Sequence, residues 1–546
     1  MRALIVLVVL LCAATAAEAK LIAVGPSDSY TKIEAAVAGD IVEIAPGTYK
    51  FRVMLDKTAT AASPITIKAK DPTSRPVWDL AGQAVGSWPG SYTAGDKGRG
   101  CWQVKGSHYV ISGIVFRNCQ DVSSAGLRTV NSGPVTIRDC LFDSNTNGIT
   151  GSADGFVVEF SEFTKNGKLT ATGSPTHNVY IYGGTFSLRY SYLHDPIEGQ
   201  NLHVRARDAV IEYNWITRPA SYPLDVMSCN TLCGGTGTGP ITQKMLLRGN
   251  LIVQGSPANL SQIVALYNDE SSGSYDSTGA VSKMALTMVN NTVIGTPVAA
   301  GKTQRLVNMR NDGVATDVIL HNNIVHQLAE LAAPYAPSTS NWSITGSNNW
   351  ISTGTKTTGS LTGTLTGSAP GFVNAAAKNY HLTAASACRA KAAAVSGLPV
   401  KEYYLDELTK LQYRPRATAK DVGAFEYNNS AAPVGPYGTA PPQADAGVPA
   451  KDHGLVTDQG MVTDAPISSD APSTTGDGSA ASDAPATQQD GAASGDGPGG
   501  QGDGAPPARG DDGCSCRIGA SSRAEAASLA LLLALGLLSL VVRRRR

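Results

Sequence analysis

Short strands of alternating apolar and polar residues recur along most of the chain, and each is followed by a small polar residue, usually Asn, and another apolar position. Several copies are evenly spaced: Val135 and Val157 are 22 residues apart, as are Leu188 and Val210. Other spacings are longer, as expected where loops are inserted. The copies begin at Val110, Val135, Val157, Leu188, Val210, Met245, Leu286, Val318 and Trp342.

A period of about 20 residues with two or three short strands is typical of a solenoid in which each coil pairs with the next through parallel ladders. Asn at each turn fits this architecture, because it tolerates left-handed backbone angles and can bond to the Asn of the adjoining coil. Neither the leucine spacing of leucine-rich repeats nor the longer blades of a propeller are present. We therefore predict an all-β protein whose body is a parallel β-helix.

The two ends of the body resemble a known family. Residues 30–37 (Tyr-Thr-Lys-Ile-Glu-Ala-Ala-Val) and 39–49 are similar to the beginning of right-handed parallel β-helix proteins of the pectate-lyase-like superfamily. In these proteins a short amphipathic helix covers the open end, which would otherwise expose unpaired strand edges. Residues 380–386 and 414–427 are similar to the closing motif of the same group. The resemblance implies a right-handed β-helix domain over residues 20–430.

The N-terminus predicts a secretory signal at residues 1–19. Arg2 precedes an apolar run from Ala3 to Cys12, and small residues follow up to Ala19. This order of basic, apolar and small residues is typical of a cleaved signal peptide, and the apolar run is shorter than the ~20 residues that span a bilayer. We expect the chain to be exported.

The C-terminal residues 513–546 combine a cysteine motif, an apolar stretch and an arginine cluster. Cys514 and Cys516 precede the predicted transmembrane helix 524–542, and four arginines follow it at 543–546. Arginines after an apolar span keep that end in the cytoplasm and leave the rest outside. The pattern resembles the myxobacterial C-terminal sorting tag (MYXO-CTERM), which implies a sorting protease that cuts near the cysteines. The protein would then reside on the cell surface or outer membrane, or be released; a permanent single-pass anchor is the alternative.

Residues 431–512 differ sharply in composition, with Pro, Gly, Ala, Ser, Thr and twelve Asp, and with Tyr437 as the only aromatic residue. Such a segment buries too little apolar surface to offset the entropy of ordering, and its Asp residues repel one another. We predict a disordered linker. The whole chain has a formal net charge of zero, and the body alone has only a small positive surplus. That balance argues against nucleic acid as a partner.

The cysteines agree with export to an oxidising compartment. Cys229 and Cys233 could close a small disulfide loop. Cys101, Cys119 and Cys140 lie about one coil apart, and we expect at least one of them to stack in the interior as a small apolar residue. No Cys-x-x-Cys zinc pair is present, so we predict no metal site built on cysteine.

One coil carries a distinctive polar face. In residues 200–207, Leu202, Val204 and Ala206 alternate with the polar residues, and the apolar set must face the core. The same parity directs polar residues of three neighbouring coils outward. We predict one exposed patch that contains Tyr180, Tyr182, Asn201, His203, Arg205, Arg207 and Asp225.

These residue types suit β-elimination on an acidic (uronate) polysaccharide. The reaction needs a cation beside the carboxylate, a base for the C5 proton and an acid for the leaving oxygen. We assign Arg205 or Arg207 as the cation, His203 as the base, and Tyr180 or Tyr182 as the acid. The others would bind substrate: Tyr182, Asn201, Arg207 and Asp225.

Residues 199–206 also resemble a stretch of the β-helix alginate and chondroitin lyases that reads approximately Gly-His-Asn-Leu-Lys-Ser-Arg-Ala. Here Gln200 replaces the His, His203 replaces the Lys, and Arg205 is kept. The family lysine acts as base, and a neutral imidazole can replace it near pH 7. The resemblance implies a polysaccharide lyase.

Two alternatives remain. Polar residues on the outside of a solenoid are usually just solvated, and a non-catalytic glycan-binding or adhesive protein would use the same Tyr, Arg and Asn without a base. No cofactor is indicated with certainty. Asp269, Glu270 and Asp276 lie in a Ser- and Gly-rich loop whose oxygens could bind calcium, although the spacing is not that of an EF-hand.

Overall fold

A computed structural model describes residues 19–82, 100–120, 124–167, 176–229, 240–255, 262–267, 281–296, 303–310, 314–334, 341–405 and 411–438. Within these ranges the protein is almost entirely β-structure, and its strands stack in three parallel rows that we call rows A, B and C. Within a row, each strand pairs in parallel with the equivalent strand of the next coil; for example, Phe156 is opposite Phe186, and Phe186 is opposite Ala209. The predicted all-β fold with parallel coils is confirmed.

Two strands, Val179–Arg189 and Leu202–Glu212, run through both row A and row B, whereas other coils break between them. The remaining row A strands are Val53–Leu55, Gly100–Val104, Ala125–Ser132, Asn147–Ala153, Leu224–Met227, Gln262–Tyr267, Arg305–Arg310 and Glu330–Pro334. The remaining row B strands are Leu21–Val24, Ile41–Ile44, Ile65–Ala69, Tyr109–Ser112, Val135–Arg138, Phe156–Glu159, Ile241–Arg248, Val281–Val289, Ala315–His321, Trp342–Ser347 and Ser360–Thr362. Row C consists of Thr48–Tyr49, Val77–Asp79, Val115–Arg117, Leu141–Asp143, Glu162–Thr164, Tyr192–Leu193, Trp215–Thr217, Leu251–Val253, Thr292–Ile294, Ile324–His326, Trp350–Ser352 and Leu365–Gly367.

The interior is filled by apolar side chains that repeat at the same position in successive coils. Along row C, aromatic rings stack from coil to coil in the N-terminal half: the ring centroids of Phe116 and Phe142 are 5.0 Å apart, and those of Phe142 and Phe163 are 4.8 Å apart. Aliphatic residues such as Leu193 and Ile216 continue the column. Stacking of like side chains follows from the parallel register, which places equivalent residues one strand spacing apart.

The corner between row B and row C has the same form in nine successive coils that the structure describes. It contains two residues, of which the first has a positive φ, from 47° at Phe160 to 72° at Gly113. The second residue points inward. The pairs are Gly113 and Ile114, Asp139 and Cys140, Phe160 and Ser161, Tyr190 and Ser191, Tyr213 and Asn214, Gly249 and Asn250, Asn290 and Asn291, Asn322 and Asn323, and Asn348 and Asn349.

The inward asparagines form a buried ladder. The Nδ2 of Asn214 donates to Oδ1 of Asn250 at 3.0 Å, and the same bond links Asn250 to Asn291, Asn291 to Asn323, and Asn323 to Asn349. The expectation that Asn bonds along the stack is confirmed. The expectation that the same Asn adopts the left-handed conformation is wrong, because the preceding residue turns the chain and leaves the ladder Asn free to point inward.

The N-terminal end carries the predicted cap in a short form, a single helical turn at Thr31–Glu34. Ile33 is 1% exposed and joins the core, and a carboxylate oxygen of Glu34 accepts a hydrogen bond from the backbone N–H of Met54 at 2.8 Å. The turn therefore satisfies a donor at the start of row A that would otherwise be exposed.

The segment after the last coil does not simply close the end of the β-helix. It forms two antiparallel hairpins, Phe372–Asn374 with Asn379–Leu382 and Lys401–Tyr403 with Tyr413–Pro415, and packs along row C and the corner beside it. It reaches back to the N-terminal coils, where the hydroxyl of Tyr437 donates to Oδ2 of Asp139 at 2.7 Å. The body therefore extends at least to Gly438, past the predicted boundary at 430.

The cysteines confirm the expectation that at least one of the three stacks in the interior, and they add a disulfide that was not predicted. Cys140 is free and fully buried, as predicted for a stacked apolar residue, and burial raises the pKa of its thiol to about 12. Cys101 and Cys119 instead form a disulfide, because they meet inside one coil rather than stacking between coils. Cys229 is disulfide-bonded and buried, but Cys233 lies outside the described residues, so their pairing remains a prediction.

Several other predictions fall outside the described residues: the signal peptide, most of the linker, the cysteine motif Cys514 and Cys516, the apolar stretch 524–542 and the acidic loop at 269–276. Within the described ranges, no helix has the length and apolar character needed to cross a bilayer. The same ranges hold no cluster of three or more His, Cys, Asp or Glu side chains arranged to bind a metal ion.

Candidate functional site

The candidate site lies on the outer side of row A, where three consecutive strands bring polar residues into one line. Tyr180 is opposite His203, and His203 is opposite Asp225; Tyr182 is opposite Arg205. Leu202, Val204 and Ala206, the alternate residues of the middle strand, are at most 1% exposed and belong to the core. The parity predicted from the sequence is therefore correct within the strand.

His203 lies between a carboxylate and a guanidinium. Its Nδ1 is 3.1 Å from Oδ2 of Asp225, close enough for an ion pair although the two atoms lack the alignment of a good hydrogen bond. On the other side of the ring, Nε of Arg205 donates to Nε2 at 3.4 Å. Nε2 therefore faces a hydrogen-bond donor and Nδ1 faces an acceptor, which orients the ring with Nε2 as the accepting nitrogen.

Aromatic rings surround His203. The Tyr180 ring centroid is 4.3 Å from that of His203, and the Tyr182 ring follows at 5.7 Å from Tyr180. The ring of His177 is 4.9 Å away on the third side. These contacts fix the plane of the imidazole, so its Nε2 has a defined direction.

The patch is less exposed than predicted. His203 is 7% exposed, and Arg205 and Asp225 are each 4% exposed, whereas Tyr180 and Tyr182 are half-buried. The prediction of an exposed patch is therefore wrong for the three charged or ionisable groups at its centre. Arg205 extends along the next coil, where Nη1 donates to the carbonyl of Ser228 at 3.4 Å and Nη2 contacts Sδ of Met227 at 3.1 Å.

Asn201 does not belong to the patch, and the prediction that it faces outward is wrong. It precedes the strand, where the alternation has not begun, and its side chain is fully buried in a second ladder. Its Oδ1 accepts from Nδ2 of Asn178 at 2.8 Å, and its Nδ2 donates to the carbonyl of Thr217 at 2.9 Å. Asn178, at the equivalent position of the preceding coil, is buried in the same way.

Arg207 occupies the edge of the patch. Its side chain is 34% exposed, and its Nε donates to Oδ2 of the adjacent Asp208 at 2.7 Å. It is accessible to a ligand but separated along the strand from His203 by Arg205. Of the two arginines proposed as the cation, Arg205 is the one in contact with the imidazole.

Sequence reasoning missed two contributors. Tyr222 lies close enough to Asp225 for the two to interact electrostatically, and burial is the main reason that its pKa is raised above the usual range; Asp225 raises it further. Gln200 hydrogen-bonds Tyr222 and has a buried Oε1 without a described partner. Oδ1 of Asp225 is also buried and lacks a hydrogen-bond partner among the described atoms. The alternation rule could not find these residues, because both precede their strands.

No family model and no curated protein matches the chain. Solved structures with a similar fold include three from different enzyme classes or substrates. Pectate lyase Pel9A has 14% identity, a TM-score of 0.46 and coverage of 75% of this chain and 97% of that one. Alginate lyase from Paenibacillus sp. str. FPU-7 has 13% identity, a TM-score of 0.38 and coverage of 59% and 97%. GH136 lacto-N-biosidase from Eubacterium ramulus has 9% identity, a TM-score of 0.35 and coverage of 63% and 68%. At these values the reaction must be argued from the site itself.

Proposed function

We propose that the protein cleaves an acidic polysaccharide by β-elimination, with His203 as the base that removes the C5 proton of a uronate residue. The observation that carries the proposal is the position of His203 between Asp225 and Arg205, 3.1 Å from the carboxylate and 3.4 Å from the guanidinium nitrogen. A neutral imidazole can accept a proton near pH 7.

The roles of the neighbours follow from charge. When Nε2 of His203 takes the C5 proton, the imidazole becomes positive, and the carboxylate of Asp225 beside Nδ1 stabilises that charge. Asp225 is thus a positioning residue rather than the substrate-binding residue first expected. The 3.4 Å contact between Arg205 and Nε2 is long for a hydrogen bond, so it is easily exchanged for one to the substrate carboxylate. Arg205 would then acidify the C5 proton by neutralising that carboxylate.

Tyr180 is the nearest hydroxyl-bearing residue on the adjacent strand and is assigned as the acid. As the C5 proton leaves, a C4–C5 double bond forms, the bond between C4 and the bridging oxygen breaks, and that oxygen takes the tyrosine proton. Tyr182 and Arg207, both partly exposed at the edge of the patch, would contact neighbouring sugar units. Aromatic faces suit the apolar faces of sugar rings.

A non-catalytic glycan-binding protein is the second candidate, and one observation favours it. The proposed base and cation are nearly buried, at 7% and 4% exposure, so a bound chain would meet mainly Tyr180, Tyr182 and Arg207. Binding through those three residues needs no base. The two functions differ in whether His203 matters.

The test is an incubation of the full chain with alginate, pectate and chondroitin, followed by ultraviolet absorbance of the unsaturated product. We expect His203→Ala to lower kcat at least ~100-fold, as for loss of a general base. Asp225→Asn should lower kcat less and shift the pH profile. The control is His321→Ala, a half-buried histidine on another wall whose Nδ1 bonds Oγ of Ser347 at 2.9 Å. Absence of product with all three glycans, or an unchanged rate in His203→Ala, would contradict the proposal.

We also propose that the protein works outside the cell, held at the surface by its C-terminal tail or released from it. The proposal is supported by the signal-like residues 1–19, the Cys514 and Cys516 motif and the apolar stretch 524–542. The disulfide between Cys101 and Cys119 is compatible with an oxidising compartment. Labelling of intact cells with an antibody to the body, with and without replacement of both tail cysteines by Ala, tests the location and the sorting protease.

A further inference from the structure

A cavity of about 390 Å³ lies on another wall of the β-helix, beside row C. One side consists of residues in or just after the row C strands of four successive coils, and the other side is the first C-terminal hairpin, mainly its turn. None of the residues assigned to the candidate site lines it. The lining includes Trp215, Arg218, Gly255, Gly295, His326, Gln327, Lys378 and Tyr380.

Space is left here because Gly295 directly follows its row C strand, where the flanking coils carry Gln254 and Gln327, and because Gly255 comes one residue after Gln254. Arg218 and Gln327 border Gly255 and Gly295. A Cβ at Gly295 would lie 2.3 Å from the carbonyl oxygen of Gln327, and a Cβ at Gly255 would lie 2.8 Å from Cγ of Arg218. Gly255 also has a φ of +72°. Larger residues are therefore excluded at both positions, and the notch is built into the turn.

The floor of the notch is aromatic. Trp215 is 1% exposed, stacks on Tyr192 with ring centroids 4.7 Å apart, and has an Nε1–H without a partner among the described atoms. Tyr380 and the half-buried ring of His326 line the same space. A buried donor without a partner costs free energy unless a ligand oxygen or water satisfies it.

The rim is polar and carries one cation that is not engaged by the described residues. Arg218 is held by Asp195, with Nε to Oδ1 at 2.6 Å, and the guanidinium lowers the pKa of that carboxyl to about 2. Lys378, on the opposite side, is exposed and forms no ion pair with any described residue. Thr217 and Thr296 add hydroxyl groups.

We propose that this notch is a second carbohydrate site that holds one unit of an anionic sugar chain without cleaving it. The aromatic floor would face the apolar side of the ring, the rim hydroxyls would bond its oxygens, and Lys378 would pair with its carboxylate. The volume lies in the range of small-ligand sites, roughly 300–1,000 Å³. The inference shares its ligand class with the proposed function but does not need the reaction to occur.

The test is calorimetric titration of short oligouronates into full-chain His203→Ala, which would bind without cleaving. Two substitutions address the notch: Lys378→Glu reverses the free charge, and Ala376→Trp fills the space from an exposed position that tolerates a larger side chain. We expect each to remove one equivalent of bound ligand or to weaken that equivalent roughly tenfold. Lys391→Glu, an exposed charge reversal in the same C-terminal segment, is the matched control and should change neither.

The outcome separates the two proposals. If the row A site also binds glycan, the number of bound equivalents falls from two to one in Lys378→Glu. If the row A site does not bind glycan, the number falls from one to none. Unchanged stoichiometry and affinity in both notch variants would overturn the inference, as would absence of binding before substitution. If the wild-type protein cleaves none of the three glycans but the notch still binds oligouronate, the result would instead count against the proposed reaction alone.

Discussion

His177 shows how one buried residue makes the fold sensitive to pH. It is 5% exposed, its Nδ1 accepts a hydrogen bond from the backbone N–H of Gln200 at 3.2 Å, and its ring is 4.9 Å from that of His203. Burial, and then the neighbouring His203, hold its pKa well below 6.5. The folded protein therefore disfavours a proton that the unfolded chain accepts.

Acid therefore destabilises the folded protein through His177. The contribution of His177 to stability is complete above pH 6.5 and is lost as the pH falls below that value toward the folded-state pKa. We expect the free energy of unfolding to fall by about 1 kcal/mol per pH unit in this window, and His177→Gln to remove that slope. Denaturant titrations at several pH values measure it. His108→Asn, at a half-buried turn, is the control, and equal slopes in the wild type and His177→Gln would refute the prediction.

For single residues, the sequence predicted which side chains share a face of a strand better than it predicted how buried each side chain is. The alternation around His203 was correct because period two is intrinsic to a strand. The place of Asn201 in a buried ladder was not predicted, because strand parity does not extend into the turn before it. The low exposure of Arg205 could not be predicted either, since it depends on contacts with Met227 and Ser228 in the following coil.

The recurring two-residue corner is the element on which the stacking depends. Asn291 illustrates its bonding: Oδ1 accepts from Nδ2 of Asn250 at 2.9 Å, and Nδ2 donates to Oδ1 of Asn323 at 2.9 Å and to the carbonyl of Leu247 at 2.8 Å. The side chain is fully buried. A change there affects two adjoining coils at once.

Asn291→Ala leaves several buried polar groups without partners, and each such group costs ~1–3 kcal/mol. We expect the free energy of unfolding to decrease by about 3 kcal/mol. Denaturant unfolding measures it, with Asn374→Ala as control, because Asn374 is exposed and, among the described residues, its Oδ1 accepts only from the N–H of Ala377 at 3.0 Å. A loss no larger than that of the control would show that the ladder contributes little.

The repeat predicted these elements because asparagine recurs at a fixed place after each strand. It did not separate the two corner positions, since pairs such as Asn290 and Asn291 offer the same residue for both. Only the coils with Tyr213 before Asn214, or Gly249 before Asn250, distinguish the turning residue from the bonding one.

The whole molecule is held along its side by the C-terminal segment, and its last described contact is with an N-terminal coil. Asp139 is 3% exposed, forms an ion pair with Arg75 and accepts a hydrogen bond from Tyr437. Burial raises the pKa of Asp139 to about 6 despite both partners. Loss of either partner would leave a buried carboxylate with fewer bonds.

A chain that ends after Ser430 should therefore unfold at a lower temperature than one that ends after Gly438. We expect a loss of ~1–3 kcal/mol from the Tyr437 contact, and Tyr437→Phe in the longer chain should reproduce most of it. Scanning calorimetry of the three proteins makes the comparison. Identical melting temperatures for the two truncations would show that residues 431–438 do not stabilise the body.

Composition could not predict this anchorage. Residues 431–438 are Ala-Ala-Pro-Val-Gly-Pro-Tyr-Gly, which matches the linker that follows, and a single tyrosine makes the difference. The coil architecture, in contrast, was predictable because the strand pattern is repeated many times. An irregular copy therefore does not hide the period that the other copies show.

From the coil of Tyr109–Ser112 onward, differences in the spacing of the strands are confined to two places in each turn of the β-helix. The interval between rows A and B varies from none, in the two continuous strands, to the one between Met227 and Ile241, and the interval from row C to row A also varies, whereas the corner between rows B and C keeps two residues from Gly113 onward. Both variable intervals flank row A, the wall that carries His203. Insertions at either interval would therefore change what borders the wall of His203 without disturbing the strands, whereas an insertion at the opposite corner would break the asparagine ladder.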